Sequence, residues 1–214
     1  RLQSGDPGFR PERVLSLQMT AHAKKYPQPG QIAEFFRQVT TRIAALPGVK
    51  AVGGISKPPL TAQTAAFALV IEDRPDTLIK PQTVVGLYGV TPGYFTAMGI
   101  PLERGRFILD SDKRGGPLVA VIGRSIADRF WPGQDPIGRR LKVEAGADNP
   151  WMTIAGVVGN VRFKGLDSAP TLAVYHAHAQ MTWRPMALAV RTEGSPLSLI
   201  SAIRREVAAI DPEQ

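Results

Sequence analysis

The chain has 214 residues, 43% of them apolar, no cysteine, and 26 basic against 18 acidic side chains. That length makes one ordinary domain or two small ones, and the missing thiols exclude a disulfide scaffold, a cysteine nucleophile and a cysteine metal site. The net charge of +8 would suit nucleic acid or an anionic surface, but the basic residues are scattered, in pairs such as Lys24-Lys25, Arg139-Arg140 and Arg204-Arg205, and aromatics are only 7%, so a solvated basic surface is expected.

No apolar run reaches the roughly 18 residues that cross a bilayer, and the first residues lack a basic-then-apolar leader pattern. The chain starts at Arg1 without Met and stops just after Asp211-Pro212, which points to an excised piece of a longer product. Gly 21 and Pro 19 predict many turns and short elements.

In chain order, Leu15, Leu17 and Met19 alternate on a strand from Val14 to Met19. Ile32, Phe35, Phe36, Val39, Ile43 and Leu46 have the spacing of an amphipathic helix over Gln31 to Leu46, stopped by Pro47-Gly48. Val49 to Ile55 reads as a strand, completing a β-α-β unit. Lys57-Pro58-Pro59 marks a boundary. Phe67, Leu69 and Ile71 then alternate as a strand, Glu72 to Pro81 reads as a charged turn, and Thr83 to Val90 as another strand.

The stretch from Thr91 to Gly99 predicts a short helix with Thr91 as N-cap, Pro92 at the first position, Val90 and Phe95 as a staple, and Gly99 left-handed at the end. Arg104-Gly105-Arg106-Phe107 exits it, and Asp110 to Gly116 is a polar loop. Val119 to Gly123 is a strand, Arg124 to Phe130 a short helix with Ser125 as cap, Trp131-Pro132-Gly133 a stop, and Asp135-Pro136-Ile137-Gly138 a turn into the strand Arg139 to Val143. Met152 to Val161, a strand starting at Leu172 and Val174, and Met186, Leu188 and Val190 supply further strands. Ser195-Pro196 caps a closing helix that buries Leu199, Ile200, Ile203, Val207 and Ile210. The order predicts an α+β fold, a β-α-β sandwich carrying an inserted β-rich lobe with short helices.

Candidate chemistry is sparse. His176 and His178 share a strand face and could offer two metal ligands, but without a third neighbour in sequence they read as polar residues at a strand end. His22 reads as a solvent-facing turn residue. Ser125 sits where a nucleophile elbow would place a serine, yet no partner acid and histidine can be recognised, so a small hydrolase stays a minor alternative, as does a basic nucleic-acid-binding domain. Glu72/Asp73 and Asp110/Asp112 read as surface charge, and Trp131 as a packed aromatic. Neither a phosphate-cradling P-loop nor a dinucleotide-binding glycine motif is present.

Five segments in order carry a resemblance. They are Val90-Thr91-Pro92-Gly93-Tyr94-Phe95 with Met98-Gly99-Ile100-Pro101-Leu102 and Gly105-Arg106-Phe107; Val119-Ala120-Val121-Ile122 through Arg129-Phe130-Trp131-Pro132-Gly133 and Asp135-Pro136-Ile137-Gly138-Arg139; Ile154 to Arg162; Ala189-Val190-Arg191-Thr192; and Val207 to Pro212. Together they resemble the MacB-like periplasmic core domain of FtsX-like ABC transporter permeases, and the Phe130-Trp131-Pro132-Gly133 form is most similar to the duplicated permeases of acidobacteria.

That resemblance implies a periplasmic domain of an inner-membrane protein, placed between the first and second transmembrane helices, with a porter-like lobe over 1–55 and 166–214, an inserted lobe over 56–165, and a further porter strand beyond Gln214. It implies no enzyme activity and no catalytic, cofactor-binding or metal residues, because a separate cytoplasmic subunit hydrolyses ATP. The implied partners are the permease's own transmembrane helices, a second permease domain or subunit and the cytoplasmic ABC ATPase, with a periplasmic adaptor as a further one and no nucleic acid. Macrolides, lipoproteins and control of cell-wall hydrolases all occur among such permeases, so cargo does not carry over.

Overall fold

The computed structural model describes residues 6–60, 66–74, 83–144, 150–163 and 171–214. The boundary expected at 165/166 and most of the charged turn expected over 72–81 lie outside them. Ten strands form one continuous hydrogen-bonded system among the described residues.

The first part is a three-stranded antiparallel sheet in the order β1 (Val14–Thr20), β10 (Pro185–Thr192), β2 (Val49–Ile55). Helices α1 (Pro29–Ala44) and α4 (Ile200–Ile210) cover one face of it. The alternation in the sequence explains the layer: Met19, Met186, Leu188 and Val190 meet Ile32, Phe35, Phe36, Val39, Ile43 and Ile203 in one core. Pro29 starts α1, and Gly48, at φ 85°, supplies the left-handed residue of the turn beyond it. A 3₁₀ turn, Pro196–Leu199, precedes α4, and Ser195 contributes its backbone carbonyl there instead of a side-chain cap. Asp211 then anchors the end of α4 by accepting from Lys25 Nζ at 2.6 Å and from the Tyr26 hydroxyl at 3.1 Å.

The second part is a closed ring of strands. β4 (Val84–Val90) pairs with β3 (Ala66–Ile71), β3 with β7 (Arg140–Glu144), β7 with β8 (Met152–Val158), β8 with β6 (Val119–Gly123), β6 with β9 (Ala173–Ala177), and β9 returns to β4. Closure removes the free edges that an open sheet would expose. Leu69, Ile71, Leu87, Ile122, Leu141, Val143, Ile154 and Val174 fill the interior, with Trp131 packed against them as expected. α3 (Arg124–Phe130) packs onto this core through Ile126 and Ala127. The exit from the short helix expected over Thr91 to Gly99, the corner helix, is a strand, β5 (Leu102–Gly105), paired to β8. A short exposed strand dominated by Glu and Arg lacks the alternation that would reveal it.

The two parts meet between Gly54–Ser56 and Gly89–Thr91. Ile55 pairs with Val90, and hydroxyls reinforce that single bridge: Gly54 N–H donates to Thr91 Oγ1 at 2.8 Å and Gly89 N–H to Ser56 Oγ at 3.0 Å. Thr91 is therefore a joint residue and not the N-cap expected from sequence. Helix α2 (Tyr94–Met98) starts at Tyr94 instead of Pro92, because Thr91-Pro92-Gly93-Tyr94 forms a β-turn, with the Tyr94 N–H on the Thr91 carbonyl and Gly93 at φ 86°. The predicted end is as expected: Gly99 has φ 67°, its N–H reaches Thr96 O, and the Ile100 N–H reaches Phe95 O, a Schellman closure. Val90, Phe95 and Ile100 all enter the core at the joint.

Candidate functional site

Among the described residues no group of three or more His, Cys, Asp or Glu side chains could hold a metal. The residues singled out for chemistry are dispersed by the fold. Ser125 is the second residue of α3, not its cap; its N–H donates to Asn160 Oδ1 at 2.8 Å, so the orphan amide of that helix start is satisfied from the end of β8. No histidine is hydrogen-bonded to Ser125 among the described residues, which leaves the hydrolase alternative without its base. Glu72 and Asp73 are surface charges as expected, paired with Arg140 and Arg139. His22 is exposed.

Three of the polar residues singled out are buried, which corrects the expectation of surface charge at Asp112. His176 and His178 stand at a strand end as expected, in and just beyond β9, and are 1% and 2% exposed. Trp183 recruits both: its indole N–H donates to His176 Nε2 at 3.2 Å, and its carbonyl accepts from His178 Nε2 at 2.8 Å. His176 Nδ1 then donates to the Ala177 carbonyl, so that ring is neutral with both nitrogens used. Burial pushes its pKa down to about 4, against a smaller upward pull from that carbonyl, and burial pushes His178 down as well. Asp112 is also buried: it accepts both terminal nitrogens of Arg106, at 2.7 and 2.9 Å, and the Leu109 N–H at 2.8 Å. Burial raises its pKa, but the Arg106 bonds and charge and the Leu109 amide outweigh that and leave it lowered. Sequence spacing alone could not show this, since the Arg106 partner is an i, i+6 loop contact without periodic signature.

That Arg106–Asp112 clamp shapes the 108–114 loop into one wall of a groove of about 400 Å³. The opposite wall is the second face of α1, with Ala33, Arg37, Thr40 and Ala44. Thr91 and Pro92 of the joint and Ala177 to Ala179 after β9 form its floor. His178 lines it, held edge-on by Phe36 at 5.2 Å.

A second feature links the chain's start to the corner. Residues 6–13 lie as a strap across α2 and the end of β8. Arg10 N–H donates to Met98 O at 2.8 Å, Arg162 N–H to Pro7 O at 3.0 Å, and Arg162 Nε to Asp6 O at 3.0 Å. Arg191 on β10 gathers three carbonyls at once: Ala97 O at 2.7 Å, Arg10 O at 2.6 Å and Glu12 O at 3.1 Å. Its planar fork of donors suits that role better than a lysine would. The motif Ala189 to Thr192 carried this residue in the sequence, but its partners could not be read there.

Comparison with known proteins gives this arrangement a family. A solved periplasmic region of MacB from Actinobacillus actinomycetemcomitans superposes with a TM-score of 0.60 at 14% identity, covering 95% of this chain and 86% of that one. The extracellular domain of the noncanonic ABC-type transporter YknZ from Gram-positive bacteria gives 0.53 at 16% identity, covering 94% and 93%. These likenesses show a shared fold. In sequence, the macrolide export ATP-binding/permease protein MacB of Syntrophobacter fumaroxidans is 26% identical over 120 residues, 48% of this chain but only 17% of that protein's length. The sequence profile of the MacB-like periplasmic core domain matches residues 8–208. The chain therefore belongs to the MacB-like periplasmic core domain family, as a periplasmic domain of the kind carried by ABC transporter permeases.

Proposed function

We propose that this is a non-catalytic coupling module of such a permease. It would sit between the first and second transmembrane helices and pass motion driven by a separate cytoplasmic ATPase to a cargo or partner outside the membrane. The observation that carries the reading is the strap. The first described residues, which would follow a membrane helix, are bonded through their backbone to the corner helix and to β10, so a pull on them reaches both parts of the fold. The lobes of the proposal are those laid out above, 1–55 with 166–214 and the inserted 56–165. Strand β9, on the first lobe's side of that division, is hydrogen-bonded to β4 and β6 of the second and would stitch the two together. The permease's own membrane helices, a second permease domain or subunit, and the ATPase are the proposed partners, with an adaptor as a further one.

The gene sequence on either side tests the membrane context. Apolar segments of about 20 residues are expected upstream of Arg1 and downstream of Gln214. Polar sequence on both sides would overturn the reading.

A further inference from the structure

We propose that the groove between α1 and the 108–114 loop binds a short, extended, acidic peptide segment, with apolar side chains in the groove and carboxylates at Lys113 and Arg114. Three independent observations converge on that ligand.

The first is an unpaired acceptor on a buried ring. His178 is 2% exposed and lines the groove. Its Nε2 lies 2.8 Å from a carbonyl, which can only accept, so the proton is on Nε2 and Nδ1 keeps its lone pair. No hydrogen bond to Nδ1 occurs among the described residues, whereas His176, one turn of strand away, has both nitrogens engaged. A ligand entering here must bring a donor into an otherwise apolar neighbourhood of Val52, Pro92 and Ile108. A peptide N–H on an apolar chain meets that demand; a plain hydrocarbon does not.

The second is charge. Two of the three acids at the groove are already spent: Glu34 binds Arg37 through both oxygens, and Asp112 binds Arg106. The third, Asp110, makes no ion pair among the described residues and offsets one of the two free cations there. Lys113 and Arg114 line the same groove and have no acidic partner among the described residues, so the uncompensated charge at the mouth is positive. The partner that complements it is acidic.

The third is length. On α1 the groove runs from Gly30 to Ala44, about 20 Å at 1.5 Å per residue. An extended peptide of about six residues spans the same distance. Alternate side chains of such a peptide point to opposite sides, so one set enters against Ala33 and Ala44 while the other stays at the charged rim.

This inference goes beyond the permease reading and does not rest on it, because binding is measured on the 214-residue chain itself. The probe is a fluorescein-labelled, acetylated hexapeptide of alternating leucine and glutamate, LELELE, followed by fluorescence anisotropy. Saturable binding is expected, weakened about tenfold or more for the same peptide with a methylated backbone and for LKLKLK. Reversing both exposed cations, Lys113→Glu with Arg114→Glu, is expected to leave the melting temperature unchanged and to switch preference to LKLKLK. Thr41→Trp, on the α1 wall, is expected to block both peptides. Non-saturable binding, equal affinity for LELELE and LKLKLK, or a charge reversal without effect on a folded variant would each overturn the proposal.

Discussion

Gly53→Ala is expected to lower the melting temperature of the domain by about 6 to 12 °C. A Cβ on Gly53 would lie 2.1 Å from the Tyr94 nitrogen, 2.5 Å from its Cα and 2.6 Å from the Gly93 carbonyl carbon. All three are backbone atoms, so no side chain can swing aside. The contact is reciprocal: a Cβ on Gly93 would come within 2.3 Å of the Val52 carbonyl oxygen, at a φ of 86° that a side chain rarely adopts. Here β2 and the start of the corner helix pack backbone to backbone, and either glycine replaced forces the joint apart. Overpacking of this kind costs about 3 kcal/mol. In a chain of this size each kcal/mol moves the midpoint by about 2 to 4 °C. Gly30→Ala, in α1 with open space around its Cα and no positive φ, is the control, expected to be neutral or slightly stabilising. Calorimetry on the three proteins decides it; a Gly53→Ala midpoint within about 2 °C of the parent would refute the packing.

Mild acid should destabilise the fold through its two buried histidines. His176 has a folded pKa of about 4, below its ordinary value of 6.5 in an unfolded chain. Below pH 6.5 the unfolded chain takes up a proton that the folded one refuses, so the stabilisation is complete above that pH and falls as pH drops towards 4. From pH 7.5 to 5 the loss from His176 alone is about 2 kcal/mol, and His178, shifted in the same direction, adds to it. Glu34 and Asp112 also have lowered pKa values and weaken the fold in acid, but only below the ordinary carboxylate range, which separates their window from that of the histidines. His176→Gln can still accept the Trp183 indole N–H and should flatten the slope between pH 7.5 and 5. Urea unfolding at a series of pH values measures it. A stability that is constant from pH 7.5 to 5 would show that the histidines are hydrated and free to titrate.

The parts of the fold that announce themselves in sequence are those whose signals are local. α1, β2, β6 and α3 have period, caps or turn residues of their own, and Gly99 with Ile100 closes α2 as its residue types require. What could not be read is set by partners far away in the chain. Thr91 looks like an N-cap because threonine before proline commonly is one, yet its hydroxyl is taken by Gly54, 37 residues earlier. Ser125 looks like a cap because it sits at a strand-to-helix turn, while the capping oxygen comes from Asn160. The closed ring of strands depends on the parallel pairs β4 with β9 and β6 with β8, whose registers no local pattern encodes. Of the groove, the sequence offered Asp110, Asp112 and His178 separately. Only the fold brings the first to the same groove as Arg37, buries the second on Arg106 and turns the third towards the facing wall of α1.

The proposed coupling requires the two parts of the fold to move relative to one another when the ATPase binds ATP. In a permease and ATPase stripped of any other reactive cysteines, Arg204→Cys on α4 with Gln134→Cys after α3 places one exposed spin label on each part of the fold. In the complete permease with its ATPase, distances between the labels are measured by pulsed electron resonance without nucleotide and with the ATPase trapped in its ATP-bound state. The coupling account predicts a shifted distance distribution on trapping, and its loss when Arg191→Met releases the strap from the corner. Identical distributions with and without nucleotide would contradict it.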